Sequence, residues 1–403
     1  MRLQLILTVI ITVFSGSVLL AGNEVKKDSV KSAYSFKDEI TLPTTPVKDQ
    51  YRSGTCWAFS TLSFLESEML RLGKPEVNLS EMFVVWHAYS EKAWKDVRMH
   101  GHLNFSEGGE FHDVINMISK YGIVPEEVYN GLDYGETKPV HAEMEKVLEQ
   151  SVGAVIDNPN GKLSTSWHEA VDDILDSYLG KLPQEFNYEG KSYSPLGFAK
   201  DFVGLNMDDY VEITSFTHHP FYSKFILEIP DNWSWGEAYN VPIDELEEII
   251  DYSLNNGYTV VWAADVSEKG FETTKKGVAV LPALPAENMT DAEIAKWDSL
   301  PAKEKESELY QLNTIVPELN VTQEMRQVAF DNYQTTDDHG LHIIGTAKDQ
   351  EGKTFYKVKN SWGDYNQYDG YFYASKPYVR YKTMSIMVNK NAIPQSIREK
   401  LGL

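Results

Sequence analysis

The chain has 403 residues, of which 42% are hydrophobic and 24% charged, and this composition excludes disordered and collagen-like proteins. Lysine and arginine number 37 against 60 aspartates and glutamates, so the formal net charge is −23. Such an acidic surface repels phosphate backbones and anionic lipid, and we expect no nucleic-acid partner.

Residues 1–22 have the features of a secretory signal peptide: one arginine, an apolar run and small residues at the end. An uncleaved membrane anchor is the alternative, because the apolar run approaches the length of a spanning helix. Ser15, Gly16 and Ser17 interrupt this run, which favours cleavage. We therefore expect an exported protein, periplasmic or secreted, without stable membrane insertion after the leader is removed.

Helical patterns follow a polar segment over residues 23–41 that is predicted to be a flexible arm. Apolar residues recur at helical spacing from Cys56 onward, and Ser80 is suited to cap the start of a second helix. A third helical pattern covers residues 111–121. Residues 42–130 are therefore expected to form a helical lobe.

The rest of the chain changes from helical to strand-like patterns. Residues 131–205 are mixed and charged, with two helical segments, and are interpreted as an insertion. Residues 206–390 are predicted to form a β-rich lobe, with a charged, proline-containing surface excursion over residues 284–325. The strand-like segments are 211–216, 224–229, 258–265, 341–349, 353–362 and 370–376. Helices followed by strands indicate an α+β fold.

Cys56 is the single cysteine of the sequence, so it cannot form an intramolecular disulfide. A lone cysteine is either a small buried hydrophobic residue or a reactive group, and the risk of oxidation after export favours the reactive role. At the first turn of a helix, backbone N–H groups and the helix dipole favour the thiolate. Gly54 permits close approach of the chain, and the Gln50 amide is suited to join the Cys56 N–H as an oxyanion donor.

A thiolate nucleophile also needs a base, and His339 is the candidate because it begins a predicted strand beside a small residue. His342 is the alternative. Because it lies three positions further on, it faces the opposite side of the strand, so only one of the two can serve. The Asn360 amide oxygen can accept a hydrogen bond from the imidazole, and Trp362 can shield that bond from water.

These segments resemble the papain-like cysteine peptidases, and within them the bleomycin hydrolase and aminopeptidase C branch. The resemblance is carried by Gln50 six positions before Cys56, the run Cys56-Trp57-Ala58-Phe59-Ser60, the pair Gly108-Gly109, His339 ahead of Gly345, and the run Asn360-Ser361-Trp362-Gly363. It implies a two-lobed papain-like fold over residues 42–403, with the nucleophile helix in the helical lobe. The base and its asparagine would lie on an antiparallel, barrel-like β lobe.

The resemblance also implies functional roles. The catalytic residues would be Cys56 as nucleophile, His339 as base and acid, Asn360 as its orienting residue and Gln50 as oxyanion donor. The substrate-binding residues would be Gly108, Gly109, Trp57 and Trp362. The implied activity is hydrolysis of peptides by a cysteine-type aminopeptidase without a metal or other cofactor, in a homo-oligomer that is a hexamer in the branch.

The sequence departs from papain at two places that fit this branch. Ser53 stands where papain has a cysteine, and the separation of Cys56 from His339 exceeds that of papain because of residues 131–330. The branch restricts cleavage to free N-termini by a C-terminal extension, whereas this sequence stops at Leu403. The branch is usually cytosolic, whereas the leader predicts export.

Three alternatives to an aminopeptidase remain at this point: an endopeptidase with an open cleft, a non-catalytic peptide-binding homologue, and an acyl transferase that uses the same residues. The presence of all four catalytic positions argues against the binding module. A metal enzyme is disfavoured, because the available residue spacings match no closed metal site. The sets considered are His100, His102 and His112, or Asp337, Asp338 and His339, whereas His218 and His219 are expected to pack locally.

Overall fold

A computed structural model describes residues 33–283, residue 295 and residues 297–403. The predicted signal peptide lies outside these residues, as do the start of the predicted arm and part of the predicted surface excursion. None of the described helices is both long enough and apolar enough to cross a bilayer.

Five helices of 11 residues or more build the first half of the described chain. They are α1 Cys56–Arg71, α2 Glu81–Arg98, α3 Phe111–Tyr121, α4 Ala142–Ile156 and α5 Trp167–Leu179. Helix α1 is buried from Trp57 to Met69, so it runs through the centre of the molecule. The Ser80 hydroxyl accepts a hydrogen bond from the Phe83 N–H and thereby caps α2, as the sequence predicts.

The two helices of the predicted insertion, α4 and α5, pack onto the helical lobe. Leu148, Val171 and Leu175 are buried in the same hydrophobic core as Phe64 of α1. Removing these apolar side chains from water stabilises the association of both helices with the lobe. The segment therefore extends the helical lobe.

A mixed, mostly antiparallel sheet dominates the second half. The strands of the chain are β1 Phe36–Thr41, β2 Phe186–Tyr188, β3 Lys191–Tyr193, β4 Tyr210–Thr214, β5 Lys224–Ile226, β6 Glu237–Asn240, β7 Val260–Ala264, β8 Phe271–Glu272, β9 Val278–Ala279, β10 His339–Asp349, β11 Thr354–Lys359, β12 Tyr371–Ser375 and β13 Thr383–Asn389. Within the described residues the sheet has 11 strands in the order β5-β6-β4-β13-β7-β10-β11-β12-β9-β8, with β1 also paired to β10. Strands β2 and β3 form a separate hairpin.

The centre of the sheet positions the beginning of β10. His339 is paired with Ala264 of β7, and Ala264 is paired in turn with Thr383 of β13. Helix α1 packs against β10 and β7 on one face of the sheet. On the other face, Ile249 and Ile250 share a core with Trp262.

The remaining helices are α6 Pro195–Phe198, α7 Ile243–Asn255, α8 Ala302–Tyr310, α9 Gln323–Asp331, α10 Lys376–Lys382 and α11 Gln395–Leu401.

The prediction of a flexible arm over residues 23–41 is wrong at its end, because residues 36–41 form β1. Phe36 stacks on Tyr373 with the ring centroids 4.0 Å apart, and Tyr34 is buried. Strand β1 exposes Lys37, Asp38 and Glu39 to solvent, and this polar run conceals the strand in the sequence. The partners that stabilise it lie more than 300 positions away, on β10 and β12.

The prediction of a surface excursion over residues 284–325 is wrong for its second part. Leu312 and Val321 are buried against the β lobe. The Glu318 carboxylate accepts hydrogen bonds from the Leu281 N–H, at 2.9 Å, and from the Ser375 hydroxyl. These long-range contacts fix a segment whose charged, proline-containing sequence resembles a surface loop.

Gly345 permits the close approach of β1 to β10, and we predict that Gly345→Ala destabilises the fold. A Cβ atom at this position would lie 2.0 Å from the Ile40 carbonyl oxygen. Backbone atoms must then shift, at a cost of about 1–3 kcal/mol in the free energy of unfolding measured by urea denaturation. Gly153→Ala is the matched control: its site in α4 is open, and the helix should gain about 0.5–1 kcal/mol. Equal stability of the two variants would contradict the packing described at β1.

Candidate active site

Cys56 is the first residue of α1 and is partly exposed. The Thr55 carbonyl accepts the N–H groups of Ala58 and Phe59. The N–H of Cys56 belongs to the first turn, where the helix itself supplies no acceptor. Just before it, Gly54 lies against Glu107, with its N–H donating to the Glu107 carboxylate. A Cβ on Gly54 would be 2.9 Å from that of Glu107, which explains the need for a small residue there.

Strand β10 reaches Cys56 through Gly340. The Gly340 N–H hydrogen-bonds to the Cys56 sulfur, and a Cβ on Gly340 would lie 3.1 Å from the Cys56 carbonyl oxygen and 2.7 Å from the Ser60 hydroxyl. Only glycine permits this approach without displacing α1. Because His339 directly precedes Gly340, this contact brings the backbone of His339 close to the first turn of α1.

The orientation of His339 is fixed by Asn360, which follows β11. The His339 Nε2 atom lies 2.8 Å from the Asn360 Oδ1 atom, and both side chains are buried. Asn360 is itself held in place, because its Oδ1 accepts the Ser361 N–H at 2.8 Å and its Nδ2 donates to the Tyr365 hydroxyl at 3.1 Å. These contacts point the amide oxygen toward the imidazole. His339 therefore has Nε2 as donor and leaves Nδ1 for another partner.

Trp362 covers the pair of His339 and Asn360. Its ring stacks on the His339 imidazole, with centroids 4.9 Å apart and planes inclined by 29°. Excluding water from a hydrogen bond strengthens it. The sequence predicts this shielding position for Trp362, and the structure adds Tyr365, which packs edge-on against the Trp362 ring. Nothing in the sequence distinguishes Tyr365 from the other tyrosines nearby.

His342 faces the other side of β10, as the alternation of strand side chains predicts. Its Nδ1 atom lies 3.0 Å from the Ser63 hydroxyl in the interior of α1. Burial, together with the positive charge of Lys359, lowers the pKa of His342 well below its usual value. His342 is therefore a neutral core residue, whereas His339 contacts Asn360 and Trp362.

Gln50 is buried beside the same segment. Its Nε2 donates to the Ser53 carbonyl at 2.7 Å, and its Oε1 accepts from the Ser361 hydroxyl at 2.5 Å. Both contacts define which end of the amide carries the N–H groups. One N–H of Nε2 is used by Ser53, so the other remains as a donor.

Gly108 and Gly109 lie on a loop against α1. A Cβ on Gly109 would lie 2.9 Å from the Trp57 ring, and the Trp57 Nε1 donates to the Glu107 carbonyl at 3.0 Å. Trp57 is only 3% exposed, because this loop covers it. Its contact is therefore with the loop in place of the predicted contact with substrate. The Lys92 ammonium donates hydrogen bonds to the carbonyls of Ser106 and Gly108 and thereby stabilises the loop.

Burial disfavours a charge on Cys56 and on His339. Burial raises the pKa of Cys56 to about 12. The carboxylates of Asp337 and Asp231 also raise this pKa, whereas the hydrogen bond from the Gly340 N–H lowers it. Burial lowers the pKa of His339 to about 4, and the hydrogen bond that His339 donates to Asn360 acts in the opposite direction. The helix N-terminus favours the thiolate, as the sequence predicts, but burial acts in the other direction. Burial therefore favours the neutral form of each group.

Three carboxyl groups beside the cleft were not identified from the sequence as site residues: Glu110, Asp231 and Asp337. Glu110 directly follows the Gly108-Gly109 pair, and Asp337 is two positions before His339. These two adjoin motif residues, which is a signal that could have drawn attention to them. Asp231 comes from the loop between β5 and β6, and no local pattern connects it with the site.

One group of side chains has the geometry to hold a metal ion. Within the described part of the chain, the group of His, Cys, Asp and Glu side chains close enough to hold a metal ion is His218, His219 and Glu228. His219 also stacks on Phe225, and His218 contacts Gln327. His112 instead lies 2.8 Å from Glu212 and 2.9 Å from the Ser234 hydroxyl.

Comparison with known proteins identifies the class to which this site belongs. The model of the Peptidase C1-like family matches residues 4–299 and 304–402. Aminopeptidase C of Streptococcus thermophilus is 23% identical over 93% of this chain and 86% of its own length. Aminopeptidase W of Lactobacillus delbrueckii subsp. lactis is 23% identical over 90% of this chain and 85% of its own length.

A solved structure agrees with these matches at the level of the fold. The crystal structure of PepW from Lactobacillus rhamnosis HN001 superposes with a TM-score of 0.66 at 19% identity, covering 91% of this chain and 84% of PepW. The α+β architecture predicted from the sequence is thus confirmed as papain-like. By its match to the family model over nearly its whole length, the chain belongs to the Peptidase C1-like family, as a cysteine-type peptidase of the papain-like bleomycin hydrolase and aminopeptidase C group.

Proposed function

We propose that this peptidase is an aminopeptidase that removes N-terminal residues from peptides, with Cys56 as nucleophile and His339 as base and acid. The observation that carries the proposal is the 2.8 Å hydrogen bond between His339 and Asn360, formed where Gly340 brings β10 against the first turn of α1. This arrangement fixes the imidazole tautomer and leaves the other ring nitrogen as the acceptor for the Cys56 proton in the proposed mechanism. The names of the relatives support the aminopeptidase assignment.

The first chemical step transfers the Cys56 proton to His339 as the sulfur attacks the substrate carbonyl carbon. The carbonyl π bond breaks and its electron pair forms the oxyanion. Because burial disfavours each charge alone, thiolate and imidazolium form together, and Asn360 stabilises the imidazolium through Nε2. The His339 proton then passes to the leaving amine as the C–N bond breaks, which leaves an acyl thioester on Cys56.

Water completes the cycle. His339 accepts a proton from water as its oxygen attacks the thioester carbonyl. The C–S bond then breaks, and His339 returns the proton to the sulfur. The products are the released amino acid and the shortened peptide. No step requires a metal or an organic cofactor, since every proton is carried by His339.

The oxyanion would be held by the Cys56 N–H and the free N–H of Gln50 Nε2. Both come from groups fixed before the reaction: the first by α1 and the second by the hydrogen bonds of Gln50 to Ser53 and Ser361. Donors that need no reorganisation stabilise the developing negative charge most effectively. The segment Gly108-Gly109 would present backbone groups to the extended substrate beside this position.

We predict that Gln50→Ala lowers kcat by about 10²-fold, because one oxyanion donor is removed. Steady-state kinetics on a fluorogenic aminoacyl amide measures this effect, with circular dichroism as a check of folding. Gln184→Ala, which changes an exposed glutamine, is the matched control and should leave kcat unchanged. A Gln50→Ala enzyme with the kcat of the wild type would remove Gln50 from the proposed oxyanion site.

The proposed function is tested by measuring the hydrolysis of leucyl aminomethylcoumarin and of its N-acetylated form under reducing conditions. We expect hydrolysis of the free-amine substrate alone, and a loss of at least about 10³-fold in Cys56→Ala, because no other group can form the thioester. Cleavage of both substrates would identify an endopeptidase with an open cleft. Cleavage of neither, with a Cys56 that iodoacetamide still alkylates, would favour a non-catalytic peptide-binding protein.

A further inference from the structure

Two consecutive histidines and a glutamate meet at the edge of the sheet, apart from the residues of the candidate active site. His218 and His219 lie in the loop between β4 and β5, and Glu228 lies two positions after the end of β5. Strand β5 is the terminal strand of the sheet and pairs with β6. Three side chains that can bind a metal ion therefore come together from two separate segments, at a place that solvent reaches.

The three side chains converge with the spacing that a small metal ion needs. The His218 Nε2 atom lies 3.0 Å from one carboxylate oxygen of Glu228, and the His219 Nε2 atom lies 2.9 Å from the other. One ligand atom of each residue lies within 4.8 Å of those of the other two. Ligand atoms bound to one tetrahedral zinc ion are about 3.3 Å apart, as follows from zinc–ligand bonds of about 2.0 Å. Modest rotations of the side chains are therefore enough to surround one ion.

Aromatic neighbours hold both imidazole rings in place. The His219 ring stacks on Phe225, with the ring centroids 4.3 Å apart. The His218 ring packs edge-on against the same Phe225 and stacks on Phe330 of α9, at centroid distances of 5.4 and 5.5 Å. Because these contacts already restrict the rings, the histidines lose little conformational entropy when they bind an ion.

The backbone of the histidine loop is fixed by Asn240, a fully buried residue of β6. Its Oδ1 accepts the Phe216 N–H at 2.9 Å, and its Nδ2 donates to the Phe216 and His219 carbonyls at 2.8 and 2.9 Å. These hydrogen bonds lie on both sides of His218. The loop is thus preorganised by the protein itself, which is the condition for a well-defined metal site.

Gln327 of α9 supplies an outer partner for His218. The Gln327 Oε1 atom accepts the Thr217 N–H at 2.6 Å and lies 3.4 Å from the His218 Nδ1 atom. A metal-bound histidine usually donates its other ring N–H to such an oxygen. The Gln327 Nε2 atom lies 3.1 Å from the same Nδ1 atom and suits the opposite tautomer, in which His218 donates to Glu228. A change of tautomer is therefore accommodated, with the imidazole proton moving from Nε2 to Nδ1 as Nε2 binds the ion.

We propose that His218, His219 and Glu228 form a binding site for a divalent transition-metal ion such as Zn²⁺. Two imidazole nitrogens and one carboxylate oxygen form a ligand set that proteins use for zinc, with water at the fourth position. Mg²⁺ and Ca²⁺ are disfavoured, because both prefer oxygen ligands. The bound ion would join the loop between β4 and β5 to the segment after β5, and so stabilise the edge of the sheet. The site is independent of the proposed peptidase function, since none of its ligands takes part in that mechanism.

The first test is calorimetric titration of ZnCl₂ into tag-free Cys56→Ala protein, in a buffer with excess Mg²⁺. The Cys56→Ala background removes the thiol, which is itself a zinc ligand, and Mg²⁺ competes for carboxylates elsewhere on the surface. We expect one Zn²⁺ per chain. Gln327→Ala should weaken binding about tenfold to hundredfold, and His218→Gln, His219→Gln or Glu228→Gln at least as much. His102→Gln, which changes an exposed histidine in another loop, is the matched control and should leave binding unchanged.

Co²⁺ identifies the ligands by a second, spectroscopic measurement. We expect the visible absorption of tetrahedral Co²⁺ in the Cys56→Ala protein and in its His102→Gln variant. The absorption should disappear in the His218→Gln and Glu228→Gln variants, whose folding is checked by circular dichroism. The absence of Zn²⁺ binding, or equal binding by the ligand variants and the His102→Gln control, would overturn the proposal.

The stabilising role is tested by thermal unfolding and hydrogen exchange of the same proteins. Because the ion binds the folded chain, Zn²⁺ should raise the Tm of the Cys56→Ala protein and slow amide exchange over residues 217–229. Neither change should occur in the Glu228→Gln variant. Binding of Zn²⁺ that leaves the exchange of this segment unchanged would contradict the proposed link between the loop and β5.

Discussion

The contact between Gly340 and the first turn of α1 is the constraint on which the site depends. It joins the central strand of the sheet to the central helix of the helical lobe, at a distance that only glycine allows. The backbone of His339 is thereby held at the first turn of α1, and the register of β10 with β11 brings Asn360 to the imidazole. A bulkier residue at position 340 would separate the two lobes at the point where their side chains must meet.

Electrostatics at this junction are balanced between opposing effects. The helix N-terminus and the Gly340 N–H favour a negative sulfur, whereas burial and the nearby aspartates disfavour it. For His339, burial favours the neutral ring and Asn360 favours the charged one. In the proposed mechanism, proton transfer from Cys56 to His339 charges both groups and leaves the net charge of the site unchanged.

The parts of the site that depend on short motifs could be predicted from the sequence. Cys56 at a helix start, His339 at a strand start and Asn360 followed by Trp362 each have a local pattern with a chemical reason. The fold class followed from the order of helical and strand-like segments, because periodicity reports which face of an element is buried. Alternation along β10 also separated His339 from His342 correctly.

What the sequence did not reveal depends on contacts between distant residues. Strand β1 exposes charged side chains, and its pairing with β10 cannot be inferred from its own composition. Leu312 and Val321 are buried by elements far along the chain, within a segment whose charge suggests solvent. Asp231 meets Gly108 only because two loops converge, and Trp57 is covered only because the Gly109 loop folds over it. Periodicity does not encode any of these contacts.

The central claim, that Cys56 forms an acyl enzyme with the help of His339, is tested most directly by rapid-quench mass spectrometry of the intact protein. The wild type is mixed with an activated ester of leucine and quenched within milliseconds. We predict an added mass of one leucyl group, located on Cys56 by peptide mapping and formed much more slowly in His339→Ala. An enzyme that turns over this ester with no adduct on Cys56, or with equal acylation of His339→Ala, would contradict the account.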